Sequence, residues 1–284
     1  MNRNRIAFQG ELGANGHEAC LAAYPDMEPV PCATFEEAFE AVSGGECRLG
    51  MIAVENSIAG RVADVHHLLP SSGLRIIGEH FKPIHFQLMA NPGVRVDDLK
   101  SVASMPIAFA QCRGTIARLG LAREPVSDTA LAARQLAERP DPTRAAIAPA
   151  LAARLYGLDI LLPDIEDTHN NTTRFLVMTA DADAEAPAPG PGVKCVTSFV
   201  FRVRNLPAAL YKALGGFATN GVNMTKLESY MENAAFTATF FYSEIDGRPE
   251  DEAVARAFEE LQFFSERFEI LGVYPAAPYR AQVG

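Results

Sequence analysis

The sequence lacks tryptophan, clusters of basic residues, long apolar runs and any C-x-x-C pair. No apolar run approaches the ~20 residues that a membrane-spanning helix needs, so we expect no membrane contact. A formal net charge of −10 without a basic patch argues against nucleic acid as a partner, because phosphates require clustered Lys and Arg. The five cysteines, an odd number without disulfide or metal-site spacing, predict reduced and mostly buried thiols in a cytoplasmic protein.

What is present is typical of a globular chain. The 284 residues are 48% hydrophobic, enough for a sizeable core and about two domains. From residue 5 to residue 179, short apolar strands alternate with helices, a pattern typical of an α/β fold with a mostly parallel sheet. The repeated strand–helix units, and the return to an apolar strand at Leu176, predict two lobes with a cleft between them.

A change of composition separates the C-terminal part. Residues 181–192 are rich in Ala, Pro, Gly and acidic residues, which is typical of a linker. Residues 193–284 then follow the order strand, helix, strand, strand, helix, strand, which predicts a ferredoxin-like βαββαβ unit. A small sheet with one face free of helices tends to pair with a copy of itself, so we expect a homodimer or homotetramer through this domain.

The stretch from Asp164 to Phe175 concentrates hydroxyls, amides and one guanidinium just before an apolar strand. The strand would hold Arg174 in place, and an arginine fork can grip a carboxylate with two parallel hydrogen bonds. Alternatively, these are turn residues whose side chains satisfy their own backbone.

Two further polar clusters lie next to predicted strands. Glu55, Asn56 and Ser57 follow a central strand, where α/β folds place ligands, and Asn56 or Ser57 can also cap a helix. The loop Gly10–His17 leads into a helix, so its amides could hold an anion, or its glycines could merely permit a tight turn. The histidines lack the spacing of a metal site, and we expect no metal.

Nine motifs occur in a fixed order along nearly the whole chain. They are Gly10–Asn15, Val54–Gly60, His85–Leu88, Ala110–Cys112, Asp128–Ala133, Ala145–Ala148, Asn170–Phe175, Asn205–Leu210 and Asn223–Ser229. The first seven resemble the prephenate dehydratase family, whose hallmark is the Thr-Arg-Phe triplet, and the last two resemble the ACT regulatory domain of that family.

The resemblance implies a two-lobed α/β catalytic domain over residues 1–180, similar to a type II periplasmic binding protein. Its lobes would comprise about residues 1–80 with 165–180, and residues 81–164. The implied activity is the decarboxylating dehydration of prephenate to phenylpyruvate, CO2 and water in phenylalanine biosynthesis, without a cofactor. Carried over motif by motif, the catalytic residues are Thr173, Arg174 and Glu55, and the substrate-binding residues are Gly13, Ala14, Asn15, Asn56, Ser57, His85, Gln111, Thr172 and Phe175.

The roles within this implied site follow from side-chain chemistry. Thr173 would hydrogen-bond or protonate the leaving hydroxyl, and because a threonine hydroxyl is a poor acid, Glu55 or water would assist it. Arg174 would hold a substrate carboxylate or brace the loop, and the sequence leaves both roles open. Phe175 is expected to pack against the substrate ring or the core.

The ACT resemblance implies feedback regulation by L-phenylalanine. The effector residues carried over are Asn205, Pro207, Ala208, Ala209, Leu210, Asn223, Glu228 and Ser229. The chain departs from the family at four places: Gly16 stands for a serine, Met105 for a histidine, Ala208 for a glycine, and Tyr230-Met231 for Arg-Pro. Two alternatives stay open, namely arogenate as the substrate and a non-catalytic sensor of an amino acid or aromatic acid.

Overall fold

The computed structural model describes residues 4–182, 184, 186–190, 192–204, 206–231 and 238–283. The chain divides into two compact units: unit 1 comprises Met1–Val65 and His80–Phe175, and unit 2 comprises His66–Glu79 and Leu176–Gly284. Within the described ranges, no helix combines the length and the apolar character needed to cross a membrane.

Strands and helices alternate through residues 5–179, as the sequence predicts. The strands are β1 (Arg5–Gln9), β2 (Glu28–Cys32), β3 (Leu49–Asn56), β4 (Gly60–Arg61), β5 (Arg75–Pro83), β6 (Gln87–Ala90), β7 (Ser101–Ser104), β8 (Ala122–Pro125), β9 (Arg144–Ala148), β10 (Asp159–Leu162) and β11 (Thr172–Thr179). The helices are α1 (Asn15–Ala23), α2 (Phe35–Ser43), α3 (Ala63–Leu68), α4 (Pro106–Gln111), α5 (Arg113–Leu119), α6 (Thr129–Glu138) and α7 (Ala150–Tyr156).

These strands form two sheets. One has the order β2-β1-β3-β11-β5, with β4 paired to β3, and the other has the order β10-β6-β9-β7-β8. The pairs β1–β2, β1–β3, β7–β8 and β7–β9 are parallel. The pairs β3–β4, β6–β9 and β6–β10 are antiparallel. The sheets are therefore mixed, with antiparallel strands added to parallel ones.

Local sequence signals fix several element ends. The pattern Thr34-x-x-Glu37 predicts a capping box at the start of α2. The Thr34 side chain accepts from Glu37 N at 3.2 Å, as predicted, while the Glu37 carboxylate accepts from Ala33 N, one residue before the N-cap, at 2.7 Å. The sequence also predicts that Asp128 caps a helix, and Asp128 caps α6 by accepting from two backbone N–H groups. The sequence predicts two strands separated at Lys82-Pro83. Two strands form, but β5 includes both residues and ends at Pro83, because a proline is tolerated at the end of a strand.

Unit 2 contains the predicted βαββαβ order. Its elements are β12 (Cys195–Val203), α8 (Ala209–Thr219), β13 (Met224–Met231), β14 (Ala238–Asp246), α9 (Glu252–Phe264), β15 (Ser265–Pro275) and α10 (Arg280–Val283). The strand order β13-β14-β12-β15 is antiparallel at each pair. Phenylalanines fill the core between this sheet and its helices, with Phe199 stacked on Phe217, edge-on to Phe258 and tilted against Phe268. The predicted fold class, two α/β lobes followed by a ferredoxin-like domain, is confirmed.

Unit 2 also includes the first half of β5. A Cβ added at Gly272 of β15 would lie 2.0 Å from the carbonyl oxygen of Ile76. The two backbones therefore touch directly, and only glycine fits at this position. The guanidinium of Arg280 binds both carboxylate oxygens of Glu79, at 2.7 and 2.9 Å, and Glu244 at 2.9 Å.

Candidate functional site

The end of β3 and the beginning of β11 are joined by hydrogen bonds around Ser57. Ser57 N donates to the carbonyl of Thr172, and Thr172 N donates to the Ser57 hydroxyl, both at 2.9 Å. The same hydroxyl donates to the carbonyl of Asn170 at 2.9 Å. The strand ends thus bring together two polar clusters that are more than 100 residues apart in the sequence.

Asn56 is the centre of this polar cluster. Its side-chain amide donates to Asn171 Oδ1 at 2.7 Å, to Thr173 Oγ1 at 2.9 Å and, more weakly, to the Thr172 carbonyl at 3.3 Å. Its carbonyl oxygen accepts from the backbone N–H groups of residues 58 and 59, which caps the following turn as predicted. Because Thr173 Oγ1 accepts from Asn56, its own hydroxyl hydrogen can be donated elsewhere.

Gln111 and Asn171 extend the cluster with buried neutral amides. Asn171 Nδ2 donates to Gln111 Oε1 at 2.9 Å, and the two residues are only 1% and 8% exposed. Two backbone hydrogen bonds join the segments around these amides. Ile84 N donates to the Asn171 carbonyl at 2.8 Å, and Asp167 N donates to the Gln111 carbonyl at 2.7 Å. Residues from α4, from the segment after β5 and from the loop before β11 therefore meet at one point.

Arg174 is buried, with 3% of its surface exposed. Its Nη1 donates to Glu55 Oε1 at 3.0 Å, and its guanidinium carbon lies 5.8 Å from the centre of the Phe81 ring. A buried guanidinium requires a counter-charge, and Glu55 at the end of β3 supplies it. Phe175 is 2% exposed and belongs to the core, one of the two positions that the sequence left open for it.

His85 is hydrogen-bonded to Glu166, a residue to which the sequence analysis gave no role. His85 Nδ1 lies 2.8 Å from Glu166 Oε1, and Phe86 N donates to Glu166 Oε2 at 2.9 Å. The Glu166 side chain is 1% exposed, whereas that of His85 is 50% exposed. The only sequence signal for this pair is the position of Glu166 inside the Asp164–Phe175 stretch.

Of the described residues, one group of His, Cys, Asp or Glu side chains comes together at metal-ligand spacing. His85, Asp164 and Glu166 bring one ligand atom each within 4.8 Å. Both Glu166 oxygens already accept from protein donors, one of them a backbone N–H, so the contacts are those of a hydrogen-bonded pair. The expectation that the protein uses no metal stays a prediction.

The predicted binding loop Gly13–Asn15 packs against α7. A Cβ added at Gly13, whose φ is +95°, would lie 2.9 Å from Ala152 Cα. Gly13 N donates to His17 Nδ1 at 2.9 Å, and the His17 ring stacks on the Phe8 ring with their centres 5.6 Å apart. Burial lowers the pKa of His17, which keeps the acceptor nitrogen unprotonated. One amide of the expected anion cradle is therefore used inside the loop, and a substrate role for Gly13, Ala14 and Asn15 stays a prediction.

The predicted effector residues lie in unit 2, except that Asn205 falls outside the described residues. Ala208 has φ +61°, in the left-handed region, immediately before α8, which begins with Ala209 and Leu210. Asn223 Nδ2 donates to Asp246 at 2.9 Å. The remaining members of the set are Pro207, just before Ala208, and Glu228 and Ser229 on β13.

The five cysteines are buried and unpaired, as predicted. Cys112 adjoins the site between α4 and α5, and burial raises the pKa of its thiol to about 12, with Glu166 and Asp167 adding to the effect. The thiol is therefore neutral at physiological pH and is a poor nucleophile.

Comparison with known proteins adds an independent line of support. A family model described as prephenate dehydratase matches residues 6–183. A bifunctional N-acyl-homoserine lactone acylase/prephenate dehydratase from Komagataeibacter europaeus is 50% identical over 281 residues, 99% of each chain. An arogenate dehydratase/prephenate dehydratase from Arabidopsis thaliana is 38% identical over 96% of this chain and 73% of its own length. A solved prephenate dehydratase from Arthrobacter aurescens, in complex with L-Phe, has a TM-score of 0.85 and 31% identity, covering 96% of this chain and 92% of that chain.

The matched region contains every residue of the polar cluster, from Asn56 to Arg174, and the relatives extend the likeness through unit 2. The chain belongs to the prephenate dehydratase family.

Proposed function

We propose that the chain converts prephenate to phenylpyruvate, CO2 and water as a step of phenylalanine biosynthesis. The observation that carries this proposal is the hydrogen bond from Asn56 to Thr173, because it leaves a hydroxyl free to donate within a part-buried cluster of neutral amides. A hydroxyl group leaving an aromatising ring needs such a donor.

The reaction itself needs little from the protein beyond orientation and proton donation. The ring carboxylate leaves as CO2, the electron pair of the broken carbon–carbon bond enters the ring, and the ring hydroxyl departs with the pair of its carbon–oxygen bond. The ring becomes aromatic, so the step is driven without a cofactor. Thr173 hydrogen-bonds the departing oxygen, which becomes water once it has gained a proton.

The neutral lining supports this assignment. A carboxylate that must leave as uncharged CO2 would be held back by a cation that stabilises the ground state. Arg174 is engaged with Glu55, and the groups around Thr173 are the amides of Asn56 and Asn171. We assign Arg174 to bracing the loop, and Gln111, Ser57 and Thr172 to completing the lining.

The test is the ultraviolet absorbance of phenylpyruvate formed from prephenate by the purified chain. We expect turnover by the wild type, a loss on the order of 100-fold in kcat for Thr173→Ala, and partial activity for Thr173→Ser. Thr168→Ala is the matched control, since Thr168 is an exposed threonine of the same stretch. Full turnover by a folded Thr173→Ala variant would remove Thr173 from the mechanism, and no turnover by the wild type would refute the function.

Arogenate is the alternative substrate, because the Arabidopsis relative is named for both activities. Arogenate carries an ammonium group where prephenate has a keto group, and an ammonium requires an acidic partner. The two buried or half-buried carboxylates next to the cluster, Glu55 and Glu166, already bind Arg174 and His85. We therefore expect a higher kcat/KM for prephenate, and a preference for arogenate in the same assay would reverse this choice.

A second candidate function is hydrolysis of N-acyl-homoserine lactones. The Komagataeibacter relative, which is 50% identical to this chain, is named for this activity as well as for prephenate dehydratase. The neutral Cys112 thiol offers no ready nucleophile for acyl transfer. The test is release of homoserine lactone from an N-acyl-homoserine lactone by wild type and by Thr173→Ala. A non-catalytic sensor, the remaining alternative, would bind prephenate or an aromatic acid in calorimetry without turnover of any of these substrates.

Regulation by L-phenylalanine is the second half of the proposal. The solved relative from Arthrobacter aurescens is in complex with L-Phe, and unit 2 has the βαββαβ order of an ACT domain. We assign the effector to residues 205–210 with Asn223, Glu228 and Ser229, in a homodimer or homotetramer formed by residues 193–284. By linkage, L-phenylalanine inhibits only if it binds the less active arrangement more tightly. Inhibition of turnover and sedimentation with and without L-phenylalanine test both statements.

Location and domain boundaries complete the proposal. Five buried, unpaired cysteines support a reducing compartment, and we assign the protein to the cytoplasm. The boundaries 1–180, 181–192 and 193–284 are supported by the sheet of β12–β15, which begins at Cys195. Limited proteolysis tests them, with cleavage expected in residues 181–192.

A further inference from the structure

We infer that His85, oriented by the buried carboxylate of Glu166, donates the proton that converts the leaving hydroxyl to water. This inference rests on the proposed prephenate dehydration and adds to it the source of the proton. Thr173 remains the residue that hydrogen-bonds the departing oxygen.

The hydrogen bonds set the tautomer of His85. Glu166 Oε1 lies 2.8 Å from His85 Nδ1, and a carboxylate can only accept, so Nδ1 carries a hydrogen and donates it. Glu166 is itself fixed, because Phe86 N donates to its other oxygen at 2.9 Å and its side chain is 1% exposed. Nε2 is then the ring nitrogen that can exchange a proton with substrate or solvent.

Backbone hydrogen bonds join the His85–Glu166 pair to the segments that carry the polar cluster around Asn56. Ile84, the residue before His85, donates its N–H to the Asn171 carbonyl at 2.8 Å. Ile165, the residue before Glu166, donates its N–H to the Phe86 carbonyl at 2.9 Å. His85 therefore directly follows a residue that is hydrogen-bonded to the loop presenting Thr173. Half of its side chain remains exposed and can be reprotonated by water.

Among the residues assigned to the site, His85 has the chemistry best suited to deliver a proton near neutral pH. Imidazole is the side chain whose ordinary titration falls between pH 5 and 8. Glu55 is ion-paired with Arg174, and an arginine does not give up its proton in proteins. A threonine hydroxyl is too weak an acid to supply the proton without replacement. The remaining members are amides and hydroxyls.

Three further titratable side chains lie near the His85 imidazole or its partner Glu166. Asp164 Oδ1 lies 3.9 Å from His85 Nδ1, and His169 Nδ1 lies 4.0 Å from Glu166 Oε1. The neutral thiol of Cys112 is near enough to Glu166 for the carboxylate to raise its pKa further. His169 is 78% exposed and makes no hydrogen bond to Glu166 at that distance, so it provides a matched control for His85.

The proposed step balances without a further reactant. Imidazolium Nε2–H transfers its proton to the departing hydroxyl oxygen, directly or through the Thr173 hydroxyl, and water is formed. His85 becomes neutral, still donating Nδ1–H to Glu166. A proton from solvent then restores the imidazolium before the next turnover.

The experiment measures kcat for prephenate against pH in wild type, His85→Gln, Glu166→Gln and His169→Gln. In the wild type we expect kcat to fall on the alkaline side, where the imidazole has lost its proton. His85→Gln should lose on the order of 100-fold in kcat and lack this alkaline limb, with KM changed less than kcat. Glu166→Gln, which loses the charge that orients the ring, should lower kcat but keep the alkaline limb, and His169→Gln should match the wild type.

Several outcomes would overturn the inference. His85→Gln with kcat within about threefold of wild type, where a general acid contributes 100-fold or more, would exclude a proton donor at this position. A lower kcat with an unchanged alkaline limb would leave His85 a structural residue. Loss of activity on chelation and recovery with Mg²⁺ or Zn²⁺ would assign the cluster to a cation. A wild type without turnover would instead refute the proposed function, so the two failures are distinct.

Discussion

Replacing Ala208 by glycine should stabilise unit 2. Ala208 has φ +61° and ψ +17°, a left-handed conformation that is unfavourable for any residue with a Cβ. The residue is exposed, so removal of its methyl group costs little buried surface. The family resemblance places a glycine at this position, and the observed backbone has kept the conformation that glycine favours.

The expected magnitude follows from two opposing terms. The left-handed conformation costs a non-glycine residue roughly 1–2 kcal/mol. Glycine gives the unfolded chain more conformational entropy, and the loss of that entropy on folding costs roughly 0.4–1 kcal/mol. Ala208→Gly should therefore raise the free energy of unfolding by about 0.5–1 kcal/mol, and a domain of this size should gain a few degrees in Tm.

Ala209→Gly, one residue later, is the matched control. Ala209 begins α8 in the right-handed helix and is 9% exposed, so glycine there loses helix propensity and a buried methyl group. We expect a destabilisation of about 1–2 kcal/mol. Calorimetric unfolding of the full chain should thus show shifts of opposite sign for the two variants.

Equal destabilisation by both glycine variants would mean that backbone strain at Ala208 contributes nothing to stability. Inhibition by L-phenylalanine offers a second measurement. If the effector approaches the backbone at residue 208, as the family resemblance implies, Ala208→Gly should lower the concentration needed for inhibition and Ala209→Gly should not.

Three further changes test the packing and electrostatics of the fold. Gly272→Ala should destabilise unit 2 by about 3 kcal/mol or more in urea unfolding, because its Cβ would lie 2.0 Å from the Ile76 carbonyl. Arg280→Ala should cost about 3 kcal/mol in the same assay, since it removes the guanidinium from the buried carboxylate of Glu79. Stability should fall below about pH 6.5, because the unfolded chain protonates His17 more readily than the folded chain, in which burial lowers its pKa; His17→Gln should flatten this part of the profile.

Each of these changes has a control or a contradicting result. Gly215→Ala, in α8 with no atom near the added Cβ, should be neutral or stabilising, and equal damage from both glycine substitutions would contradict the close contact at Gly272. Arg280→Lys should recover only part of the loss if the paired geometry at Glu79 matters. An unchanged slope of stability against pH in His17→Gln would show that His17 is protonated equally in both states.

The sequence predicted the interior strands better than the edge strands. β1 and β3 are apolar and lie inside their sheet, so local composition identifies them. β2, β8 and β10 went unpredicted, and each of them ends its sheet. Proline residues in β2 and β8 oppose the strand assignment locally, but an edge strand can accommodate them because its outer N–H groups need no partner.

In the candidate site, contacts between residues next to predicted strands could be expected from the sequence, whereas the contact of a loop residue such as Glu166 could not. The meeting of Asn56 and Ser57 with Thr172 and Thr173 could be expected, because both groups adjoin buried strands of one predicted sheet. The partner of His85 could not, since Glu166 lies 81 residues away and no periodicity relates the two. The prediction of an anion site in the glycine loop overlooked an internal hydrogen bond. The His17 imidazole, four residues after Gly13, accepts from the Gly13 N–H.

Arg174 illustrates how burial changes the meaning of a residue type. As sequence, an arginine beside a threonine suggests a fork for the substrate carboxylate. The guanidinium has 3% exposure, Glu55 at 3.0 Å and the Phe81 ring beside it, which supports the bracing role proposed above. The hydroxyl of Thr173, the neighbour of Arg174 in the chain, is held by the Asn56 amide at 2.9 Å. On the proposed function this arrangement serves the chemistry twice: it orients the donor toward the leaving oxygen, and it keeps the positive charge from gripping a carboxylate that has to depart as neutral CO2.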